Sequence, residues 1–291
     1  MQAEQHRLSP TRDWTSPAGD ALFNFVSAVL LSVSLLCCIL PFLWMIGNSF
    51  KTTEEIFLRP ISLPGTVDLS VFTTAWHQAR FSRALVNSVV STVATVLTVL
   101  LFSALAAFPL ARMKFKGSTA ILRFFVVSII VSAPVIVIPL FYILINQKLY
   151  NTLGSVIVTN ATMGIPLAVY LFWGFFKDIP LEIEESTQID GCARWSFFWS
   201  FLVPLSKPVI ATIAIFQSLW TWNEYIFSLT FLKSETVRTI PLQLSVFFSK
   251  FSAEWSSLFA ILSIAIVPMI VLFVVMQRSF IGGLTAGAVK L

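Results

Sequence analysis

The chain has 291 residues, 57% of them hydrophobic and only 11% charged, with a mean hydropathy of +0.86. That balance excludes an ordinary soluble domain, which could not keep so much apolar surface out of water. The net charge of +5 is spread along the chain, which argues against nucleic acid as a partner and fits membrane topology in a lipid bilayer.

Residues 1–20 form a polar tail containing Pro10, Pro17 and Gly19. The apolar run 21–46 is far longer than a signal-peptide core and no small-residue cleavage site follows it, so it predicts a retained first span that kinks or exits at Pro41. Residues 47–83 are too polar for hydrocarbon and form a first loop. A second span, 84–111, is closed by Arg112, Lys114, Lys116 and Gly117, and Lys and Arg clusters favour the cytoplasmic side. A third span, 124–145, carries Pro134 and Pro139 and is expected to be kinked or broken. A loop over 146–155 leads to a fourth span, 156–176, interrupted by Gly164 and Pro166. The polar stretch 177–208 precedes a fifth span, 209–232, a loop, 233–255, and a sixth span, 257–276, with Pro268.

With the basic loop inside, six spans place both termini and the 177–208 loop in the cytoplasm. The predicted fold is all-α: a polytopic membrane domain of six transmembrane helices, 21–276, between cytoplasmic tails 1–20 and 277–291.

Catalytic signatures are missing. The sequence has no G-x-x-x-x-G-K-[ST] phosphate loop, no H-E-x-x-H and no G-x-S-x-G elbow. His6 and His77 lie in the tail and the first loop, and Cys37, Cys38 and Cys192 have neither metal-ligand spacing nor a disulfide framework, so no metal is expected. If ATP drives this protein, a separate protein must bind it. A secondary transporter would need coupling-ion sites or an internal repeat, and Glu224 is the one acidic residue inside a predicted span.

Residues 181–208, LEIEESTQIDGCARWSFFWSFLVPLSKP, interrupt the apolar pattern with chemistry of their own. Pro180 suits the start of a helix, and Glu182, Glu184 and Glu185 follow where the helix dipole favours carboxylates, predicting a short helix over 181–190. Ser186, Thr187, Cys192 and Ala193 are small enough for another surface to approach, and Gly191 permits a turn closed to other residues. A second short helix from Arg194 would set Trp195, Phe198, Phe201 and Leu202 on one interfacial face before Pro204 and Pro208 bend the chain.

This stretch resembles the cytoplasmic coupling loop of ATP-binding-cassette importer permeases, whose pattern is Glu-Ala-Ala, three residues, Gly, nine residues, then Ile-x-Leu-Pro. Here it reads Glu185-Ser186-Thr187, Gly191 and Phe201-Leu202-Val203-Pro204, with the spacing kept. Ser and Thr replace the two Ala, and Phe and Val replace Ile and Leu. The segments Ile189-Asp190-Gly191 and Trp220-Thr221-Trp222-Asn223-Glu224-Tyr225 and the tail from Gln277 to Lys290 resemble the carbohydrate, maltose-permease branch.

The resemblance implies that Glu184, Glu185, Ser186, Thr187, Asp190, Gly191, Arg194 and Pro204 form a knob docking on an ATPase subunit. It also implies a second ATPase contact through Gly283, Leu284, Thr285, Ala286, Gly287 and Lys290. The implied partners are a second permease subunit, two ATPase subunits that hold ATP and Mg, and an extracytoplasmic solute-binding protein meeting the loops 47–83 and 233–255. No cofactor is expected in this chain, and the implied location is a bacterial or archaeal cytoplasmic membrane. Trp220, Trp222, Asn223, Glu224 and Tyr225, with Asn87, are the candidate lining of a sugar pathway, since aromatic faces and polar groups suit hydroxylated rings. The bland reading makes the aromatics interfacial anchors, with Glu224 pairing a helix end and Asn87 a helix-terminal hydrogen bond. Mono-, di- and oligosaccharides, polyols and glycerol phosphates are all compatible cargoes.

Overall fold

The computed structural model describes residues 17–250 and 254–288, with side chains for 21, 23–249 and 254–275. Those residues fold as helices α1 (Pro17–Asn48), α2 (Thr53–Leu58), α3 (Ser70–Gln78), α4 (Phe81–Arg112), α5 (Ser118–Ser128), α6 (Ala133–Asn146) and α7 (Leu153–Asp178). Then follow α8 (Leu181–Ile189), α9 (Arg194–Phe197), a π-helical turn Phe198–Leu202, α10 (Val203–Leu205), α11 (Lys207–Trp222), α12 (Ile226–Phe231), α13 (Ile240–Lys250) and α14 (Trp255–Ala288). Among the described residues, four helices are long and apolar enough to cross a membrane: α1, α4, α7 and α14. Two bent pairs bring the number to six if each is one span.

The centre of the fold is the pair α4 and α7. Ala84, Ser88, Ser91, Thr95, Val99, Ser103 and Ala107 recur every three or four residues and are all buried, so one face of α4 is small or hydroxylated apart from Val99. Small residues let two helices approach closely where lipid supplies no hydrophobic drive for their association. Phe172 and Phe176 of α7 fill the lower end of this interface with Phe108, Phe197 and Phe198. Helix α1 instead leans on α14 through Trp44 and Phe259, 5.4 Å apart, and leaves most of its apolar surface exposed.

Pro134 breaks its span as expected, whereas Pro166 does not interrupt its own. Pro134 occupies the second position of α6 and ends the preceding helix outright, so the expected third span, 124–145, is two helices bent by 104° across residues 129–132. Pro166 does the opposite: α7 runs unbroken through both Gly164 and Pro166, because packing on α4 and α11 holds the segment despite one missing N–H. The fifth span, expected as a single run over 209–232, unwinds at 223–225, and α11 is bent 72° from the α9–α10 segment. Helical backbone in α14 continues past residue 276, where a separate tail was expected.

The loops are tied down by side chains. Asn87 Nδ2 donates to the carbonyls of Thr236 (3.0 Å) and Arg238 (2.9 Å), and Ser88 Oγ accepts from Ile240 N at 2.8 Å. Asn151 Oδ1 accepts from Lys233 N and Ser234 N, each at 2.8 Å. In the first loop the buried Lys51 donates to the carbonyls of Arg59 (3.1 Å) and Pro60 (3.2 Å).

Candidate functional site

The two chain breaks meet. Residues 129–132 between α5 and α6, and 223–225 between α11 and α12, border one cavity of about 910 Å³ whose other wall is the middle of α7. Unwound backbone at membrane depth is tolerated where it lines a cavity, so the location of both breaks follows from one requirement.

Trp220, Asn223, Glu224 and Tyr225 all line this cavity. The Glu224 carboxylate accepts from the backbone N–H of Phe227, from the N–H of Ser228 at 3.0 Å and from its hydroxyl at 2.9 Å. It therefore caps the first turn of α12, where the helix dipole favours a negative charge. Glu224 thus both caps a helix end and borders the cavity. Behind it Thr239 Oγ1 donates to Ser228 Oγ at 3.1 Å, and Tyr225 shares a 2.9 Å bond with Ser245.

Two of the expected lining residues lie elsewhere. Trp222 sits two residues, about 200° of helical turn, from Trp220. It is buried among Phe81, Phe247 and Ile261 on the opposite face of α11. Asn87, inside α4, donates its amide to Thr236 and Arg238 and ties down a loop; this is neither a place on the cavity wall nor the helix-terminal hydrogen bond of the bland reading.

Gln217 was missed. It lies on the cavity face of α11 one turn before Trp220, and helical spacing from Asn223 and Glu224 was the available signal. Its Nε2 donates to Thr221 Oγ1 at 3.1 Å, and its amide presses against Gly164 of α7. Among the described residues no three His, Cys, Asp or Glu side chains gather as a metal site.

The loop beyond α7 is built as a rigid projection. Helix α8 ends on Gly191 at φ +82°, with Gly191 N donating to Gln188 O (3.0 Å) and Cys192 N to Thr187 O (2.9 Å). That pair of bonds is the Schellman closure, and it needs a left-handed residue at this position. Glu185, Ser186, Asp190, Gly191, Arg194 and Pro204 are exposed. Glu184 and Thr187, expected on the same surface, are buried on the inner face of α8, with Thr187 Oγ1 bonded to Glu184 O at 2.8 Å.

Glu184 faces Arg112, the last residue of α4. Their closest approach is 3.8 Å (Nη1 to Oε2), with side chains 1% and 9% exposed for Arg112 and Glu184. Arg112 Nη2 also donates to the carbonyls of Phe176 (2.6 Å) and Ile179 (2.7 Å) where α7 ends. The aromatic segment departs from its expected single face. The π-helical turn shifts the register, so Phe197, Phe198 and Leu202 are fully buried under Phe108, while Trp195 and Phe201 remain exposed. The side chains of Gly283, Leu284, Thr285, Ala286 and Gly287, and all of Lys290, lie outside the described residues.

Residues 99–284 match the family model described as the binding-protein-dependent transport system inner membrane component. The chain is 34% identical over 262 residues to the probable ABC transporter permease protein YurM of Bacillus subtilis, covering 90% of this chain and 87% of that one. It is 33% identical to the probable starch degradation products transport system permease protein AmyC of Thermoanaerobacterium thermosulfurigenes, covering 92% and 96%. It is 31% identical to the melibiose/raffinose/stachyose import permease protein MelC of Bacillus subtilis, covering 90% and 95%. A crystal structure of a bacterial ABC transporter involved in import of the acidic polysaccharide alginate superimposes with a TM-score of 0.78 at 24% identity, covering 92% of this chain and 99% of that chain, a likeness of fold. Matched in sequence over more than half its length and in fold over nearly all of it, the chain belongs to the family of binding-protein-dependent transport system inner membrane components.

Proposed function

We propose that this chain is one permease subunit of an ATP-driven importer for sugars or oligosaccharides. It pairs with a second permease subunit, receives cargo from an extracytoplasmic solute-binding protein, and is driven by two ATPase subunits that bind ATP and Mg. Both termini and α8 lie on the cytoplasmic side in this reading.

The observation that carries it is the cavity at the meeting of the two broken spans, with α8 held at the end of the same helix, α7, that walls it. Its lining combines the aromatic rings of Trp220 and Tyr225 with amides of Gln217 and Asn223, which suits the faces and edges of a hydroxylated ring. Relatives named for starch degradation products and for melibiose, raffinose and stachyose support the same cargo class.

A glycerol-phosphate cargo fits less well. Among the described residues lining the cavity none is Lys, Arg or His, so that lining offers no cation to a phosphate. Ion-coupled secondary transport also fits poorly, since Glu224 already accepts three hydrogen bonds from α12. In the proposed cycle, nucleotide-driven closure of the ATPases moves α8 and, through α7 and α4, opens the cavity to the delivered sugar.

Reconstitution of the whole complex in liposomes tests the reading. Sugar uptake is expected only with the loaded binding protein and ATP on the ATPase side. Uptake by liposomes that lack the ATPase subunits would contradict it.

A further inference from the structure

We infer that Arg112 is the positioning residue through which movement of α8 reaches the cavity, and that its gap to Glu184 is the part that changes. The inference rests on the reading of α8 as the ATPase-docking element.

Three elements converge on one guanidinium. Arg112 ends α4, its Nη2 holds the Phe176 and Ile179 carbonyls at the end of α7, and its Nη1 faces Glu184 of α8. The carbonyls Arg112 binds belong to the last turn of α7 (Phe176) and to its C-cap (Ile179), where a cation is favoured by the helix dipole. Farther up, α7 carries Gly164, Leu167 and Leu171 on the cavity wall, and α4 packs along the same helix. A rigid-body shift of α8 therefore has a short path to the cavity: Glu184, Arg112, then α4 and α7 together.

The contact to α8 is the incomplete one. At 3.8 Å the Arg112–Glu184 approach is longer than a charge-assisted hydrogen bond, whereas the two carbonyl bonds of Arg112 are short. Glu184 Oε2 and Arg112 Nε are both buried and have no hydrogen-bond partner. Glu184 Oε1 is held by Gln188 Nε2 at 3.3 Å, within α8 itself. A buried carboxylate whose one oxygen faces an arginine without a hydrogen bond is poised between two arrangements. Movement of α8 towards α4 by about 1 Å would bring the pair to the 2.7–2.9 Å of a charge-assisted bond and satisfy the orphaned Oε2. Docking and release of the ATPase then alternate a loose and a tight brace.

The test uses the assembled transporter with Glu184→Gln and Arg112→Lys. Glu184→Gln keeps the side-chain shape but loses the charge. Arg112→Lys keeps the charge but cannot span Phe176, Ile179 and Glu184 at once. Both variants are expected to co-purify with their partners and keep basal ATP hydrolysis. Stimulation by loaded binding protein and sugar moved per ATP are each expected to fall at least tenfold. A Glu184→Gln complex that moves wild-type amounts of sugar per ATP overturns the inference. So does failure of both variants to assemble, which would make the pair purely architectural. If wild-type uptake proves independent of ATP, it is the docking reading of α8 that has failed.

Discussion

A Cβ on Gly164 would stand 2.0 Å from Oε1 of Gln217, so the amide of α11 occupies the notch that the missing side chain leaves on α7. Only the end of a flexible side chain obstructs that position, so Gly164→Ala is expected to fold. Gln217 would have to swing into the cavity and leave Thr221. Loss of that hydrogen bond costs about 1 kcal/mol, a change readable in thermal unfolding of the purified subunit complex. Narrowing of the cavity is expected to raise the half-saturating sugar concentration for uptake several-fold.

Glu224→Ala removes the acceptor for Phe227 N, Ser228 N and Ser228 Oγ together. Lost capping of this kind destabilises by about 0.5–2 kcal/mol. The larger expected effect is on transport, because α12 and the 223–225 segment form one wall of the cavity. Substrate-stimulated ATP hydrolysis is expected to fall about tenfold in Glu224→Ala and less in Glu224→Gln, which keeps an acceptor oxygen. Wild-type stimulation in both would reduce Glu224 to a helix cap.

Asn87→Ala separates stability from substrate handling. It leaves the Thr236 and Arg238 carbonyls without their amide donor, at about 1–3 kcal/mol for each group left unsatisfied. The transition temperature should drop while the half-saturating sugar concentration stays unchanged. A shift in sugar affinity with no loss of stability would return Asn87 to the pathway.

Gly191→Ala places a Cβ at φ +82°, where open space surrounds the residue but the backbone itself resists. The strain is about 1–2 kcal/mol for an L-residue, less for Asn, which visits this region more readily. Binding of ATPase subunits to the membrane complex should weaken in the order Gly, Asn, Ala, as measured by co-purification at rising detergent stringency.

Much of this arrangement is legible in the residues, and the failures share a cause. Apolar run lengths locate α1, α4, α7 and α14, and Pro180 and Gly191 mark both ends of α8 because each acts on its own backbone. What pattern does not reveal is which neighbour a side chain meets. Arg112 reads as a topology signal within Arg112, Lys114 and Lys116, yet its side chain is 1% exposed and engages residues 64 to 72 positions away. Glu184 and Glu185 are adjacent and chemically alike, and only the phase of α8 turns one inward and leaves the other exposed. The phase of α11 likewise separates Trp222 from Trp220 and brings Gln217 to the cavity. Pro134 breaks its span whereas Pro166 does not, because tertiary packing on both flanks of α7 outweighs a local preference.

The proposed coupling between α8 and the cavity is tested most directly by the number of sugar molecules moved per ATP hydrolysed in liposomes holding the complete complex, wild type against Gly191→Trp. The proposal predicts a fixed ratio in the wild type and a collapse towards zero in Gly191→Trp, with ATP hydrolysis uncoupled or lost. An unchanged ratio in Gly191→Trp would contradict it.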